Sequence, residues 1–350
     1  MRRGMISWSI SPGRNKGSLQ GGKDKKMKKR LFRLLAAAVF LSVLFSSALC
    51  EDGFVHISDA AGLFRMSEDP SGSYILDNDI DLSDVEWTPI RFSGTLDGNG
   101  HSILHLSVHA FDPETGRTVD GNGYKYKTNL MGFFSIAENA VVRNLSFPGA
   151  IVSGTSGDHA FAAVVAAVST HSVFENLSVS GSVCLFCGGK MGGVAGLVGF
   201  GTGSISDSTA DLTLIYADTD KKKKCEQFLG GAVADGFMDV TGVTVRINGY
   251  ASVYGYAHCG GLIGMHRQHE KRTRANAITH VRGNTVTGEI TFFEKNKDRR
   301  AYCKGIMGEK LNKYVKMENN DDSGFTRNEI RKYDEILLPE GWESAQWQVN

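Results

Sequence analysis

The chain of 350 residues contains little proline, only 6 residues, and little charge, since 22% of its residues are Asp, Glu, Lys or Arg. The low proline count excludes a collagen-like helix, which needs abundant proline as well as glycine at every third position. With 41% hydrophobic residues, the low charge also excludes general disorder. The length then suits either two or three domains or one elongated repeat protein.

No apolar run after residue 50 is long enough to span a membrane, and the one earlier run is short. Residues 34–49 carry no charge, follow a basic segment and end in small residues. At about 1.5 Å per residue this run spans roughly 24 Å, less than the ~30 Å hydrocarbon core of a bilayer. The layout predicts a signal peptide at residues 27–50, with residues 1–26 as an upstream extension or basic leader.

Cleavage of this signal is expected after Ala48 or Cys50, and the chain is expected to be secreted or held at the cell surface. A lipid anchor on Cys50 is disfavoured, because the bulky Leu49 occupies the position before it, where lipoprotein signals resembling this one have a small residue. No membrane span is expected once the signal has been removed.

Positive charge is concentrated in the leader. Residues 1–50 hold 11 Lys and Arg and one acidic residue, which leaves 28 basic and 37 acidic residues from Glu51 onward, a net charge of −9. An acidic body argues against a nucleic-acid partner, since neutralising phosphates needs a basic face. A glycan or a host or cell-surface protein is the expected partner.

Glycine is abundant, at 42 residues, and much of it recurs in six apolar blocks. The third residues of these blocks are Gly132, Ala163, Gly193, Gly231, Gly261 and Gly305. A second pattern recurs within the units: residues 141–147 resemble residues 173–179, and residues 204–208 and 240–245 are looser versions. Apolar and polar residues alternate in these runs, which is the periodicity of β-strands.

Units of about 30 residues made of short strands cannot bury an apolar face alone, whereas stacked coils share one core. The sequence therefore predicts an all-β fold, a right-handed parallel β-helix (solenoid) of roughly seven coils with an N-terminal cap and a C-terminal tail. Residues 51–91 would form the cap, residues 92–308 the repeats, and residues 309–350 a C-terminal capping segment, with Trp342 and Trp347 over the last coil.

Asn144 and Asn176 fall at the same place in successive units. We expect their side-chain amides to stack at a coil corner as a short ladder of hydrogen bonds.

The stretch from Asp79 to Leu106 contains the runs DIDLS, WTPI and FSGTLDGNGH, and GLVG follows at residues 196–199. Over residues 52–308 the chain resembles bacterial secreted proteins that carry GLUG repeats. That resemblance implies β-helix coils in surface or secreted polypeptides, some adhesin-like and some attached to proteases. Arg91 replaces a glycine of the usual pattern, and no protease region follows, so the resemblance implies location and scaffold rather than chemistry.

Three alternating carboxylates, Asp77, Asp79 and Asp81, have the spacing that begins a calcium loop, but the glycine and closing glutamate of that loop are missing. On a strand, alternate side chains are about 6.7 Å apart. An outward acidic face is therefore favoured over a calcium site. His266, His269 and Glu270 do not form the HExxH motif of zinc proteases, and their basic surroundings predict an exposed insert. No cofactor is predicted.

Two pairs of cysteines recur at matching positions of the blocks. Cys259 and Cys303 both precede their block glycine by two residues, and Cys187 and Cys225 both precede theirs by six. Each pair is predicted to occupy one column on consecutive coils, about 4.8 Å apart, where a disulfide is feasible. Stacked free thiols and at least one inter-coil disulfide both remain open.

A zinc or redox role for the pair Cys184 and Cys187 is disfavoured, since there is no second CxxC motif.

These observations predict a non-catalytic secreted or cell-surface β-helix protein that serves as an adhesion or interaction module. The alternative is a carbohydrate-active enzyme, of the polysaccharide lyase or hydrolase type, that uses a groove along the coils. No catalytic residues can be chosen from the sequence. Several carboxylates, or an Arg–carboxylate set, converging in a groove would favour the enzyme, whereas a flat face of Ser, Thr and Asn would favour binding.

Overall fold

The structure is a computed structural model that describes residues 53–118, 125–219, 226–253, 255–266, 278–294, 302–310 and 315–330. These residues belong to one compact unit. The leader, the signal peptide with Cys50, the lysine run 221–224, Cys225, His269, Glu270, Trp342 and Trp347 lie outside the described residues.

The described chain is almost entirely β-strand, with one short helix, α1 (Ala60–Arg65). The first strands are β1 (Val55–Ile57), β2 (Ser73–Leu76), β3 (Ile80–Asp81), β4 (Ile90–Phe92), β5 (Thr95–Asp97), β6 (Ile103–Leu104), β7 (Ser107–Val108), β8 (Asp112–Thr118), β9 (Lys125–Met131), β10 (Phe134–Glu138), β11 (Val141–Ser156), β12 (His159–Ala163) and β13 (Ala166–Cys187). The later strands are β14 (Met191–Ala195), β15 (Val198–Ser206), β16 (Thr209–Asp218), β17 (Glu226–Gly230), β18 (Val233–Thr241), β19 (Thr244–Val253), β20 (Tyr256–Gly260), β21 (Ile263–His266), β22 (Thr279–Arg282), β23 (Thr285–Glu294), β24 (Tyr302–Lys304), β25 (Met307–Lys310), β26 (Val315–Glu318) and β27 (Asp321–Glu329).

The strands form parallel stacks in which each step leads to the next coil of the chain. The first stack runs β1, β2, β5, β11, β13, β16, β19, β23 and β27. The second runs β4, β10, β13, β15, β18, β21 and β25. The third sheet runs β9, β12, β14, β17, β20 and β24, with β8 antiparallel at its edge. The chain is a parallel β-helix, and the second stack has seven levels, so the predicted fold class is confirmed.

One corner of the coil is turned by a residue with left-handed backbone in six successive coils. These residues are Asn144, Asn176, Asp207, Gly242, Gly283 and Asn319, with φ between 49° and 67°. Glycine, asparagine and aspartate are the residues that adopt this conformation at low cost. The recurrence of Asn and Gly in the sequence therefore reflects a backbone requirement of each coil.

The strands of the third sheet contribute alternate residues to two apolar cores. Met131 and Leu229 lie in the main core, whereas their neighbours Leu130 and Phe228 lie in a second core with residues of the second stack. These strands are therefore buried on both faces, which explains their almost continuous apolar runs.

The glycine-block alignment is wrong at two of its steps. Gly193 pairs with Phe161 on one side and with Phe228 on the other, so it is equivalent neither to Ala163 nor to Gly231. The steps from Gly231 to Gly261 and on to Gly305 agree with the observed register. The misalignment arises because both faces of these strands are buried, so that apolar residues do not mark the register.

The first coils are closed by α1, whose N-cap Asp59 accepts a hydrogen bond from the Gly62 N–H at 2.7 Å. Phe64 of α1 stacks on the buried Trp87, with ring centroids 4.9 Å apart. In the described ranges, no helix has both the length and the apolar character needed to cross a membrane.

Candidate functional site

Four consecutive strands of the first stack present a polar face to solvent. Because apolar residues such as Val179 and Val245 point inward, their polar neighbours point outward at every second position. The twelve outward residues form three columns: Ser178, Thr209, Thr244 and Thr285; Ser180, Asp211, Arg246 and Thr287; and Ser182, Thr213, Asn248 and Glu289. Nine of the twelve are Ser, Thr or Asn. We call this set the polar face.

A groove of about 540 Å³ runs along the polar face, between its second and third columns. Its ends are lined by Gly181 and Gly288, which have φ values of 127° and 100°. A Cβ atom at either glycine would lie 2.0 Å from a carbonyl oxygen of the preceding coil. Between them Leu212 and Ile247 turn their side chains inward, so the floor of the groove is backbone. We call this feature the axial groove.

The charged groups of the axial groove are two carboxylates and one guanidinium. Arg246 donates from Nε to Asp211 Oδ1 at 2.9 Å and from Nη2 to Asp211 Oδ2, and this carboxylate raises the pKa of Arg246. Glu289 accepts a hydrogen bond from Asn328 Nδ2 at 3.0 Å. The charged residues Asp211, Arg246 and Glu289 are all exposed, so a ligand can displace the water around their side chains.

The three alternating aspartates are not brought together. Asp77 pairs with His56, Asp79 lies 3.5 Å from Nδ1 of His101, and Asp81 lies 2.8 Å from Nδ1 of His105. The hydrogen bond from His105 is the main cause of the lowered pKa of Asp81. Throughout the part of the chain that the structure describes, no three His, Cys, Asp or Glu side chains are placed to hold a metal ion. The geometry is that of an exposed acidic edge and gives no support to the calcium interpretation.

Asn144 and Asn176 lie on adjacent coils and are joined by a hydrogen bond. Asn176 Nδ2 donates to Asn144 Oδ1 at 2.9 Å, and Asn144 Nδ2 donates to Asp97 Oδ1 at 3.0 Å. Burial alone would raise the pKa of Asp97, but hydrogen bonds from Asn144, from the Asn99 N–H and from Arg143 hold it below its ordinary value. The ladder thus ends on a carboxylate that is ion-paired with Arg143 at 2.8 Å.

A second asparagine pair was missed by the sequence analysis. Asn284 is buried, and its Nδ2 donates to Asn320 Oδ1 at 2.8 Å, while its Oδ1 accepts from the Val243 N–H. Both asparagines follow a left-handed corner residue by one position. That common offset is the signal that could have identified them.

The four described cysteines, Cys184, Cys187, Cys259 and Cys303, are buried thiols. Cys259 and Cys303 pair on adjacent strands β20 and β24, in the column that the sequence predicted. The glycine-block alignment that paired Cys187 with Cys225 is wrong, because it matched Gly193 with Gly231. Cys187 instead lies opposite Asp218 of β16. Burial raises the pKa of Cys184 well above its ordinary value, which disfavours the thiolate that redox or zinc chemistry needs.

A buried histidine interrupts the apolar character of the second core near its C-terminal end. His258 Nδ1 lies 2.7 Å from Glu309 Oε2 and its Nε2 lies 3.6 Å from Glu226 Oε1. Its ring stacks between those of Phe228 and Tyr302 at 5.4 and 5.5 Å. His258 could not be singled out from the sequence, because the residues around it come from three other strands.

His266, which was predicted to begin an exposed insert, is fully buried at the end of β21, with its ring 5.1 Å from that of Phe237. The expectation of exposure is wrong for this residue, because its strand pairs with neighbours on both sides.

Neither a protein-family model nor a curated protein matches the chain. Among solved structures, the chain is similar to a candidate immunoglobulin A1 protease from Bacteroides ovatus, with 16% sequence identity and a TM-score of 0.48. The likeness covers 83% of this chain and 82% of that protein. A likeness at this level says nothing about what the present chain binds or cleaves.

Proposed function

We propose that this protein is a non-catalytic, secreted or cell-surface β-helix that serves as an adhesion or interaction module. The observation that carries the proposal is the polar face, a regular array of hydroxyl and amide side chains on four rigid, stacked strands. Such groups both donate and accept hydrogen bonds, and presenting them on stacked strands avoids the cost of ordering a loop backbone on binding. The predicted signal peptide and the resemblance to GLUG-repeat proteins agree with a surface location.

The second candidate function is a carbohydrate-active enzyme that works in the axial groove. The observation in its favour is that Arg246, Asp211 and Glu289 line one groove. The binding function is preferred because Asp211 is engaged by two nitrogens of Arg246, Nε and Nη2, which leaves it poorly placed to act as a base or nucleophile.

One experiment separates the two functions. Purified, labelled protein is applied to an array of surface glycans and immobilised surface proteins, and each polysaccharide that binds is then incubated with the protein. We expect saturable binding with no release of reducing ends and no absorbance from unsaturated products. Turnover that is lost in Asp211→Asn or Glu289→Gln would instead establish the enzyme.

A further inference from the structure

The axial groove carries features that narrow the chemistry of its ligand. The lining residues advance by one strand per coil, at the ~4.8 Å spacing of stacked strands, so the groove offers a polar side chain at each level along the solenoid axis, although the residue type changes from coil to coil. A ligand that spans these levels must be linear and must carry a hydrogen-bonding group at each of them.

The polar groups of the groove suit hydroxyls. Asp211 and Arg246 form a two-point pair of exposed side chains, which leaves unused acceptor and donor capacity for the neighbouring hydroxyls of a ligand. The Oδ1 atom of Asn248 is buried, so Asn248 can offer a ligand only its Nδ2 donor, whereas Glu289 accepts only. Sugar hydroxyls, which also donate and accept, can satisfy all of these groups together.

The charge of the groove argues against an acidic ligand. Two carboxylates against one guanidinium give a formal net charge of −1, and Arg246 is already neutralised by Asp211. The chain from Glu51 onward is acidic as well, with a net charge of −9. Uronate or sulfated chains would meet repulsion here, whereas a neutral chain would not.

We propose that the axial groove binds a neutral, linear oligosaccharide lying along the solenoid axis, with its hydroxyls on Asp211, Arg246, Asn248 and Glu289. This inference rests on the proposed interaction function and specifies its ligand class.

The test is calorimetric titration of the purified protein with neutral gluco-, xylo- and manno-oligosaccharides, and with oligogalacturonate of matched length. We expect at least one neutral series to bind and the acidic series to bind at least about tenfold more weakly. Glu289→Gln should weaken neutral binding by about tenfold, since a hydrogen bond to a charged group is lost. The matched control is Glu175→Gln, an exposed glutamate of β13 outside the groove, which should leave affinity unchanged.

Four outcomes would overturn the inference. Tighter binding of oligogalacturonate would contradict the neutral ligand class. Equal losses in Glu289→Gln and Glu175→Gln would place the site outside the groove. Binding to surface proteins but to no oligosaccharide would remove the glycan ligand while leaving the interaction function intact, whereas binding to nothing on the array would count against both proposals.

Discussion

At the scale of single residues, the left-handed corner positions decide where each coil turns. Asn144 and Asn176 combine the required backbone with a side-chain amide that reaches the neighbouring coil, whereas Gly242 and Gly283 supply the backbone alone. The same position therefore tolerates two residue types for different reasons: asparagine adds a hydrogen bond, and glycine has no Cβ to strain.

Substitution of Asn176 separates these two contributions. Asn176→Ala loses the bond to Asn144 and places a Cβ in a backbone conformation with φ of 50°, so we expect a loss of about 1–2 kcal/mol in the free energy of unfolding. Asn176→Gly loses the bond but relieves the backbone and should be less destabilising. Urea denaturation measures both values, and an Ala variant as stable as the Gly variant would contradict the backbone argument.

The lowered pKa of Asp97 predicts that the protein loses stability as the pH falls. Its folded pKa is lowered, so its contribution is complete above the unfolded pKa of about 3.9 and is lost as the pH falls through the lower folded value. Asp97→Asn should be less stable than the parent protein at pH 7 and should show a smaller decline below about pH 4. Melting temperatures across this range provide the check; parallel curves for the two proteins would show that Asp97 does not titrate as argued.

At the scale of elements, the turns between the third sheet and the second stack are packed against the next coil. A Cβ at Gly231 would lie 2.2 Å from the Gly261 carbonyl oxygen and 2.4 Å from a methyl of Val245. Gly231→Ala is therefore expected to lower the free energy of unfolding by about 1–3 kcal/mol. The matched control is Gly157→Ala, where nothing lies within 4 Å and the change should stay within about 0.5 kcal/mol. Equal effects in the two variants would contradict the packing argument.

The contact between His258 and Glu309 joins β20 to β25 through the second core. His258→Phe keeps a ring between Phe228 and Tyr302, whereas Glu309→Gln keeps the side-chain shape, so each change removes mainly the contact between the two groups. We expect a double-mutant cycle to give a coupling energy of about 1–3 kcal/mol. The same cycle with Glu226, which lies farther away at 3.6 Å, should give a smaller value. Coupling near zero for both glutamates would make this a packing site with no electrostatic role.

At the scale of the whole molecule, stability is distributed along the stacked coils. Each coil of the β-helix contacts mainly the coils before and after it, so the core is continuous and its ends need special residues. At the N-terminal end α1 and Trp87 close the first coils. At the last described level, β27 is largely exposed and carries Asp322 and Arg327 in place of large apolar residues.

Export of the chain remains a prediction at this scale. Protein recovered from the medium should lack residues 34–48 and begin after Ala48 or Cys50, because a signal of this layout is removed during translocation. N-terminal sequencing or intact mass measures the start directly. Recovery of exported protein with an intact N-terminus would contradict the predicted cleavage.

The β-helix could be predicted from the sequence alone, because the pattern that defines it is local and repeats. The pairing of residues 141–147 with residues 173–179 follows from their common alternation and is observed. The Cys259 and Cys303 column follows from a clear glycine block in each unit and is also observed.

The register of β14 between β12 and β17 in the third sheet, and the sites built from several strands, could be assigned only from the structure. Gly193 could not be placed from sequence, because apolar residues on both faces of its strand leave no alternation to read. The axial groove and the His258 cluster depend on residues 30 to 51 positions apart meeting across coils of unequal length. A periodic sequence specifies which residues face outward, but the lengths of the intervening loops decide which of them become neighbours, and that depends on how the coils stack.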